Sequence, residues 1–348
     1  MGAILKVKNL GPIIDAELDI RKTTVFIGPQ GSGKSTLAKL VAITVIHEPL
    51  DTNTFKFYGL PTSYLTNGME VNIPSASMTF EEFEKYFEGE KENGKKPPVI
   101  NLKFIPTQLV FLPAERLLIS LLSESIWSLM INKVALPSFI IQFGQLFELA
   151  KKEFDTFKIK FLNIEFRHQS GKDYVYFNDN EGVPLSESAS GLQSVIPMYL
   201  VIEKMLLDKE FKSNFIIEEP ELNLYPTTQK NLVYYLADRC TKEDNQLLMT
   251  THSPYILAAL NNLLFAFKTA QKHPEKADEI AKIIPRESWL NPEEFAAYFV
   301  ADGTARTIIN PKTGLISENE LDGASESIGD EFDAIMSIYK IKVHEEVY

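Results

Sequence analysis

The chain is poor in cysteine, in long apolar runs and in positive charge, and each shortage excludes a class of protein. It has one cysteine, Cys240, among 348 residues, which excludes an internal disulfide and a cysteine-only metal site. No apolar run approaches the ~20 residues needed to span a bilayer, and the first residues read as an ordinary strand without a signal-peptide pattern. We therefore expect a protein of the reducing cytoplasm with no membrane partner.

Acidic residues outnumber basic ones by 47 to 35, so the net charge is −12. A chain of this sign has no overall attraction to nucleic acid, although a local basic face is not excluded. The basic clusters are short, and we interpret each as a solvated surface; they are Lys95-Lys96, Lys151-Lys152, and Lys158 with Lys160. Charge therefore gives no support to a dedicated DNA-binding protein.

The most informative stretch is GPQGSGKS at Gly28–Ser35, which follows the apolar run Thr24–Ile27 and precedes a helix-forming segment. Its glycines permit backbone angles that a Cβ resists, so successive N–H groups can curl around a phosphate chain. The helix that begins near Lys34 adds the partial positive charge of its N-terminus. Lys34 supplies a point charge to the β- and γ-phosphates, and the Ser35 hydroxyl is placed to bind Mg²⁺. This spacing predicts a site for a nucleoside triphosphate rather than a glycine-rich turn that binds nothing.

A group of carboxylates follows a later apolar strand, Phe215–Ile217. In an α/β sheet, carboxylates at the C-terminal end of a strand lie beside the phosphate loop. Glu218 can hold Mg²⁺ through its water shell, because Mg²⁺ dehydrates reluctantly. Glu219 can then orient or deprotonate the attacking water. An exposed acidic turn is the alternative, and the phosphate loop makes it the weaker one.

Two further segments carry polar groups at the ends of elements. His252 follows the apolar strand Gln246–Thr250, and we expect it to contact the γ-phosphate, although a lone histidine is often a structural residue. Ser190 and Gly191 precede a helix and place a hydroxyl and a free N–H at its N-terminus. Simple N-capping would satisfy this last stretch equally well.

The middle of the chain is predicted to be helical, over residues 115–157, with breaks at Pro137 and Gly144. A second helix is predicted from Gln193 to Leu207, with Pro197 near its first turn, where a missing N–H costs little.

Alternating apolar residues at Ile159–Phe166 and Tyr174–Phe177 predict two antiparallel strands. A small amphipathic helix is predicted at Phe80–Tyr86. Elsewhere strands and helices alternate, which is typical of a parallel α/β sheet.

Taken in order, the phosphate loop, the Ser190–Gly191 helix start, the acidic strand end and His252 resemble the motifs of the ABC-type ATPase superfamily. The closer likeness is to its compact RecF/OLD-like branch of AAA family ATPases. The resemblance implies an α/β fold, an ABC-ATPase-like mixed sheet with a Walker A helix, a helical signature lobe and an antiparallel β segment. It implies one ATPase domain over 1–348, with a nucleotide-binding core at 1–114 and 208–348 and a helical lobe at 115–207.

The resemblance also assigns roles and implies ATP and Mg²⁺ as cofactors. Glu218 becomes the Walker B acid, which holds Mg²⁺ together with Ser35, while Glu219 becomes the catalytic glutamate and His252 the switch histidine. The residues expected to contact ATP are those of the Walker A loop and the signature: Gly28, Gly31, Ser32, Gly33, Lys34, Ser35, Thr36, Ser190 and Gly191.

Three positions depart from the superfamily pattern. Glu218 replaces the more usual Asp, Leu192 stands where transporters carry a second glycine, and no glutamine occupies a clear Q-loop position, since Gln108 precedes its strand. The stretch Phe111–Arg116 looks like a motif of the RecF/OLD-like branch, and a strand that ends in a proline and a surface ion pair explains it as well.

The family likeness implies a head-to-tail dimer, or a higher oligomer, in which the signature of one copy closes over the ATP of another. The chain is further similar to the ATPase subunits of Septu and PARIS antiphage systems, which implies that it scaffolds or restrains a partner nuclease or toxin. A RecF-like DNA-repair or DNA-end-sensing ATPase is the alternative, and it predicts salt-dependent DNA binding. A transporter subunit is a weaker third reading.

Overall fold

The computed structural model describes residues 3–45, 50–66, 68–72, 107–122, 136–178, 181–317 and 329–338. The helix predicted at Phe80–Tyr86 lies outside them. Within the described residues the strands form two sheets. They are β1 (Ala3–Leu10), β2 (Ile13–Ile20), β3 (Thr23–Ile27), β4 (Glu70–Asn72), β5 (Thr107–Leu112), β6 (Thr156–Ile159), β7 (Ile164–Gln169), β8 (Lys172–Tyr176), β9 (Gly182–Pro184), β10 (Lys212–Glu218), β11 (Gln246–Thr251), β12 (Phe295–Ala301) and β13 (Thr304–Thr307).

The larger sheet has the order β4-β1-β2-β13-β12-β3-β11-β10-β5. Its strands β12, β3, β11, β10 and β5 are mutually parallel, whereas β1 pairs antiparallel with β2 and β4, and β12 pairs antiparallel with β13. All five residues of β3 are buried, as expected of a strand in a sheet covered on both faces. The predicted α/β class with a mixed sheet is confirmed.

The labelled α-helices are α1 (Lys34–Val45), α2 (Thr52–Phe57), α3 (Leu117–Leu122), α4 (Ser138–Glu153), α5 (Ser190–Met205), α6 (Pro226–Cys240), α7 (Pro254–Lys272) and α8 (Ala277–Ile283). Helix α1 packs against β3, β5, β10 and β11. Nine of its twelve residues are buried, so this helix is covered nearly all round. The helix that follows the phosphate loop is therefore anchored to four strands of the sheet.

The smaller sheet, β6-β7-β8-β9, is antiparallel throughout. The antiparallel segment is therefore confirmed, but the single strand expected at Ile159–Phe166 is wrong. A 3₁₀ turn at Lys160–Leu162 and a left-handed Asn163, with φ 52°, divide that run into β6 and β7. The division of the chain into core and lobe stays a prediction.

The predicted helix break at Gly144 and the predicted place of Pro197 in a first turn are both wrong. Contacts with α3 explain why each residue is tolerated in the interior of its helix. Helix α4 runs through Gly144, where an added Cβ would lie 3.2 Å from Ile119 Cδ1, so the glycine lets α3 approach closely. Helix α5 begins at Ser190, which places Pro197 in its interior. Proline cannot donate to the carbonyl four residues earlier, and that carbonyl, of Gln193, accepts instead from Ser120 Oγ at 2.7 Å.

Residues 329–338 are also helical. Among the described helices, none is both long and apolar enough to cross a membrane.

Candidate active site

The predicted residues of the phosphate loop, the acidic pair and His252 lie at one edge of the larger sheet, because parallel strands end together. Ile217 pairs with Leu112, Glu218 with Thr250, and Thr251 with Ile27. The segments that follow β3, β5, β10 and β11 therefore leave the sheet side by side. These segments are the phosphate loop, the Pro113–Arg116 stretch, the acidic pair and the His252 turn.

The phosphate loop requires glycine at two positions for reasons of space as well as backbone angle. Gly28 has φ +152°, and an added Cβ would lie 2.1 Å from the carbonyl oxygen of Val300. Gly33 has φ +103°, and its Cβ would lie 2.6 Å from Ile13 Cδ1. Gly31 also has a positive φ, +73°, but no described heavy atom lies within 4 Å of the Cβ position. The loop is thus packed at its two ends and open at its middle.

Lys34 is held inside this loop. Its Nζ donates to the carbonyl oxygens of Gly28 at 2.9 Å and Pro29 at 2.7 Å, and the residue is 4% exposed. Burial lowers the pKa of Lys34 to about 8, against the opposing influence of Glu219 and Glu221. The Oγ of Ser32 is buried and has no hydrogen-bond partner among the described residues. A buried ammonium and an unpaired hydroxyl in one loop suit an anionic ligand such as a phosphate chain.

Glu218 is the buried acid of the site, at 2% exposure. Burial raises its pKa, while Lys39 and hydrogen bonds from the Ser35 hydroxyl and the Ala114 backbone act in the opposite direction. Its Oε1 has no partner among the described residues. A buried carboxylate with a spare oxygen beside a serine hydroxyl is an oxygen-donor set of the kind that Mg²⁺ prefers. The residues present therefore fit the predicted metal.

Glu219 and His252 contact each other through their side chains. The Nε2 of His252 lies 3.1 Å from the Oε1 of Glu219, and this hydrogen bond is the main cause that lowers the pKa of Glu219. Glu219 has φ +43°, a left-handed conformation that is unusual for a residue with a side chain. Its backbone N–H donates to Thr250, to the carbonyl at 3.0 Å and to Oγ1 at 3.2 Å. The site thus presents an ionised carboxylate in a fixed position.

Arg116 is a site residue whose position could not be deduced from the sequence. It is fully buried, so the alternative of a surface ion pair is wrong. Its Nη1 donates to the carbonyl oxygens of Pro113 at 3.0 Å and Glu218 at 2.7 Å, and its Nη2 donates to that of Glu219 at 2.7 Å. Burial lowers the pKa of Arg116 to about 10, opposed by the surrounding glutamates, so the guanidinium stays charged at neutral pH.

Glu221 also belongs to the site and had no predicted role. Its Oε1 accepts from Thr251 Oγ1 at 2.6 Å and from the backbone N–H of His252 at 2.8 Å. Burial raises its pKa. The carboxylate fixes the turn on which His252 lies, and its position three residues after Glu218 at a strand end was the only sequence signal for it.

Ser190 and Gly191 lie at the start of α5, as predicted. Ala189, at the N-cap, makes no side-chain capping hydrogen bond, and Ser190 is exposed, so this hydroxyl does not act as the cap. An added Cβ on Gly191 would lie 2.6 Å from the carbonyl oxygen of Asn223, in the loop after the acids. Contact between Ser190–Gly191 and a nucleotide stays a prediction.

Two solved structures match most of the chain at low sequence identity. A solved SMC head domain from Thermotoga maritima matches at 12% identity with a TM-score of 0.41, covering 88% of this chain and 98% of that one. A component of the ABC transporter complex CbiONQ from Clostridium perfringens matches at 14% identity with a TM-score of 0.36, covering 88% of each chain. Among curated protein sequences, none is significantly similar.

The family of AAA ATPase domains matches residues 141–257, about a third of the 348 residues. The matched segment contains Ser190–Gly191, the acidic pair and His252, and it excludes the phosphate loop. In that segment this chain is similar to an AAA ATPase domain.

Proposed function

We propose that this protein is an ATPase that binds Mg²⁺-ATP on the Gly28–Ser35 loop and hydrolyses it with Glu219. The observation that carries the proposal is the convergence of four groups at one sheet edge. All four follow the ends of adjacent parallel strands. They are the buried Lys34, the buried Glu218 with its unpaired oxygen, the ionised Glu219, and His252, which is hydrogen-bonded to Glu219. The similarity of residues 141–257 to AAA ATPase domains supports the same activity.

Binding follows from the loop. Its N–H groups and the N-terminus of α1 attract the phosphate chain. Lys34 Nζ, now on the Gly28 and Pro29 carbonyls, turns to the β- and γ-phosphates, which stabilise its charge better than neutral carbonyls do. Ser32 Oγ gains an acceptor in the same step.

Hydrolysis depends on the two glutamates having different tasks. Ser35 and Glu218 would hold Mg²⁺, which when bound neutralises charge that develops on the phosphates. Glu219 accepts a proton from, or orients, the attacking water, and its ionised state suits that task. His252 holds the glutamate by its Oε1 and thereby restricts where the water is bound.

We propose in addition that the protein acts as a head-to-tail assembly, in which Ser190 and Gly191 of one copy complete the ATP site of another. The exposed hydroxyl at the N-terminus of α5 supports this part of the proposal, because a helix start with free N–H groups can receive a phosphate brought by a second molecule. Motif resemblance supports a partner nuclease or toxin, in antiphage defence, as the effector that the assembly scaffolds.

Phosphate release from the purified chain with Mg²⁺-ATP tests the enzymatic part. We expect turnover that stops when EDTA removes the metal. Absence of hydrolysis and of ATP binding, with the natural partner present, would contradict the proposal.

Affinity purification from the native host, followed by mass spectrometry, tests the partner. We expect a nuclease or toxin to co-purify, and its amount on the ATPase to change between ATP and ADP. Hydrolysis stimulated by DNA, with salt-dependent DNA binding and no effector, would favour a DNA-repair role instead.

A further inference from the structure

The backbone of Glu219 is held on both sides, by Thr250 of β11 and by Arg116, which follows β5. On the N-terminal side, its N–H donates to the carbonyl and to Oγ1 of Thr250, at 3.0 and 3.2 Å. On the C-terminal side, its carbonyl accepts from Arg116 Nη2 at 2.7 Å. The same guanidinium binds the Glu218 carbonyl through Nη1, also at 2.7 Å. One planar cation therefore links the backbones of the two acids.

This arrangement matters because Glu219 has an unfavourable backbone conformation. Its φ of +43° places Cβ close to the backbone and persists only where surrounding contacts impose it. The conformation also decides where the carboxylate points, because φ and ψ at Glu219 set the direction of its Cα–Cβ bond. A relaxed backbone would move Oε1 away from His252 and from the water position.

Within the part of the chain that the structure describes, Arg116 forms its hydrogen bonds with backbone carbonyls. The residue is fully buried, and the carbonyl oxygens that accept from it belong to Pro113, Glu218 and Glu219. A guanidinium has a rigid fork of donors, which can bind two carbonyls at a fixed separation in a way that an ammonium cannot. Its geometry is thus suited to hold two consecutive peptide groups.

We propose that Arg116 is a positioning residue for hydrolysis, which clamps the Glu218–Glu219 carbonyls and so holds the Glu219 carboxylate in its catalytic direction. The inference rests on the proposed ATPase function. Arg116 donates to the backbone carbonyls of the two acids, and it therefore acts through the glutamate. Its loss should therefore slow the chemical step and leave ATP binding, which depends on the phosphate loop, unchanged.

The test compares Arg116→Met and Arg116→Lys with the wild type, by kcat, KM and the equilibrium binding of a fluorescent ATP analogue. For Arg116→Met we expect kcat to fall by about 10- to 100-fold, the range for a displaced catalytic group, with analogue affinity within about twofold of wild type. Arg116→Lys keeps a cation but loses the fork, so it should recover part of kcat. A wild-type kcat in Arg116→Met, or a parallel loss of kcat and binding in a folded variant, would overturn the proposal.

Arg239→Met is the matched control, because Arg239 also binds two oxygens, those of the Glu203 carboxylate at 3.0 and 2.7 Å, away from the site. We expect it to lower the melting temperature without changing kcat. If Arg116→Met does not fold, Thr250→Val provides a second test. It removes the Oγ1 that accepts from the Glu219 N–H and keeps the side-chain volume nearly constant. It should lower kcat several-fold with binding intact, and normal kcat in both Thr250→Val and Arg116→Lys would reject the clamp. A wild-type chain that does not hydrolyse ATP would instead reject the proposed function.

Discussion

The Nε2 of His252 lies 3.1 Å from the Oε1 of Glu219, across 33 residues of sequence. Each residue comes directly after a strand, and β10 and β11 are parallel neighbours with Glu218 opposite Thr250. The register of two strands therefore creates the contact. The histidine hydrogen bond is also the main cause that lowers the pKa of Glu219.

Replacing Glu219 by glutamine should separate binding from hydrolysis. The amide keeps the size of the side chain but cannot accept a proton from water, so kcat should fall by about 10²- to 10⁴-fold. ATP affinity should persist, and an ATP-bound dimer should accumulate, detectable by light scattering after gel filtration. Normal turnover by Glu219→Gln would rule out the assignment of this residue.

Replacing Lys34 by alanine should remove ATP binding. The variant loses the buried ammonium that faces the phosphates, and a charge-assisted hydrogen bond to such a group contributes about 1.5–3 kcal/mol. We expect affinity for a fluorescent ATP analogue to fall by at least about tenfold, and phosphate release to be lost. The melting temperature of the free protein should not fall, because alanine relieves the cost of burying the charge.

The affinity for ATP should depend on pH through Lys34. Its pKa of about 8 in the free protein means that the ammonium is progressively lost above that pH. The bound triphosphate favours the charged form, so binding takes up a proton there. The association constant should be flat below pH 8 and fall above it, by up to about tenfold per pH unit. Lys34→Arg is the control, since a guanidinium stays charged over this range, and its affinity should not show the decline.

The phosphate loop could be predicted because its glycines, lysine and serine all lie within eight residues, between a strand and a helix that also follow from local pattern. The contacts of Arg116 could not be predicted, because the Glu218 carbonyl that it binds is 102 residues away in the sequence. Only the pairing of β5 with β10 brings the two residues together. The position of Pro197 in the interior of α5 could not be predicted for a similar reason. Local rules place Pro197 in a first turn, whereas Ser120 satisfies the carbonyl that the proline leaves free.

Glycine-to-alanine substitutions in the loop should differ according to the space around each residue. Gly28→Ala meets the Val300 carbonyl oxygen at 2.1 Å, whereas Gly31→Ala meets no described atom within 4 Å. The Gly31 variant should therefore incur only backbone strain, of about 1–2 kcal/mol, and the Gly28 variant clearly more. Melting temperatures without nucleotide measure the difference. Equal losses would mean that β12 does not confine the loop at Gly28.

A composite ATP site can be tested by mixing two inactive variants. Ser190→Asp places a negative charge at the exposed N-terminus of α5, where it stabilises the helix but repels a phosphate. Lys34→Ala disables the loop and leaves Ser190 intact. In a head-to-tail pair of the two, one site combines both defects and the other combines an intact loop with an intact helix start. We therefore expect each variant alone to be inactive. In the mixture, half of the random pairs are mixed, and each mixed pair has one working site of two. The mixture should thus recover up to about a quarter of wild-type activity. Activity of Ser190→Asp alone would show that a second copy does not complete the site through this helix.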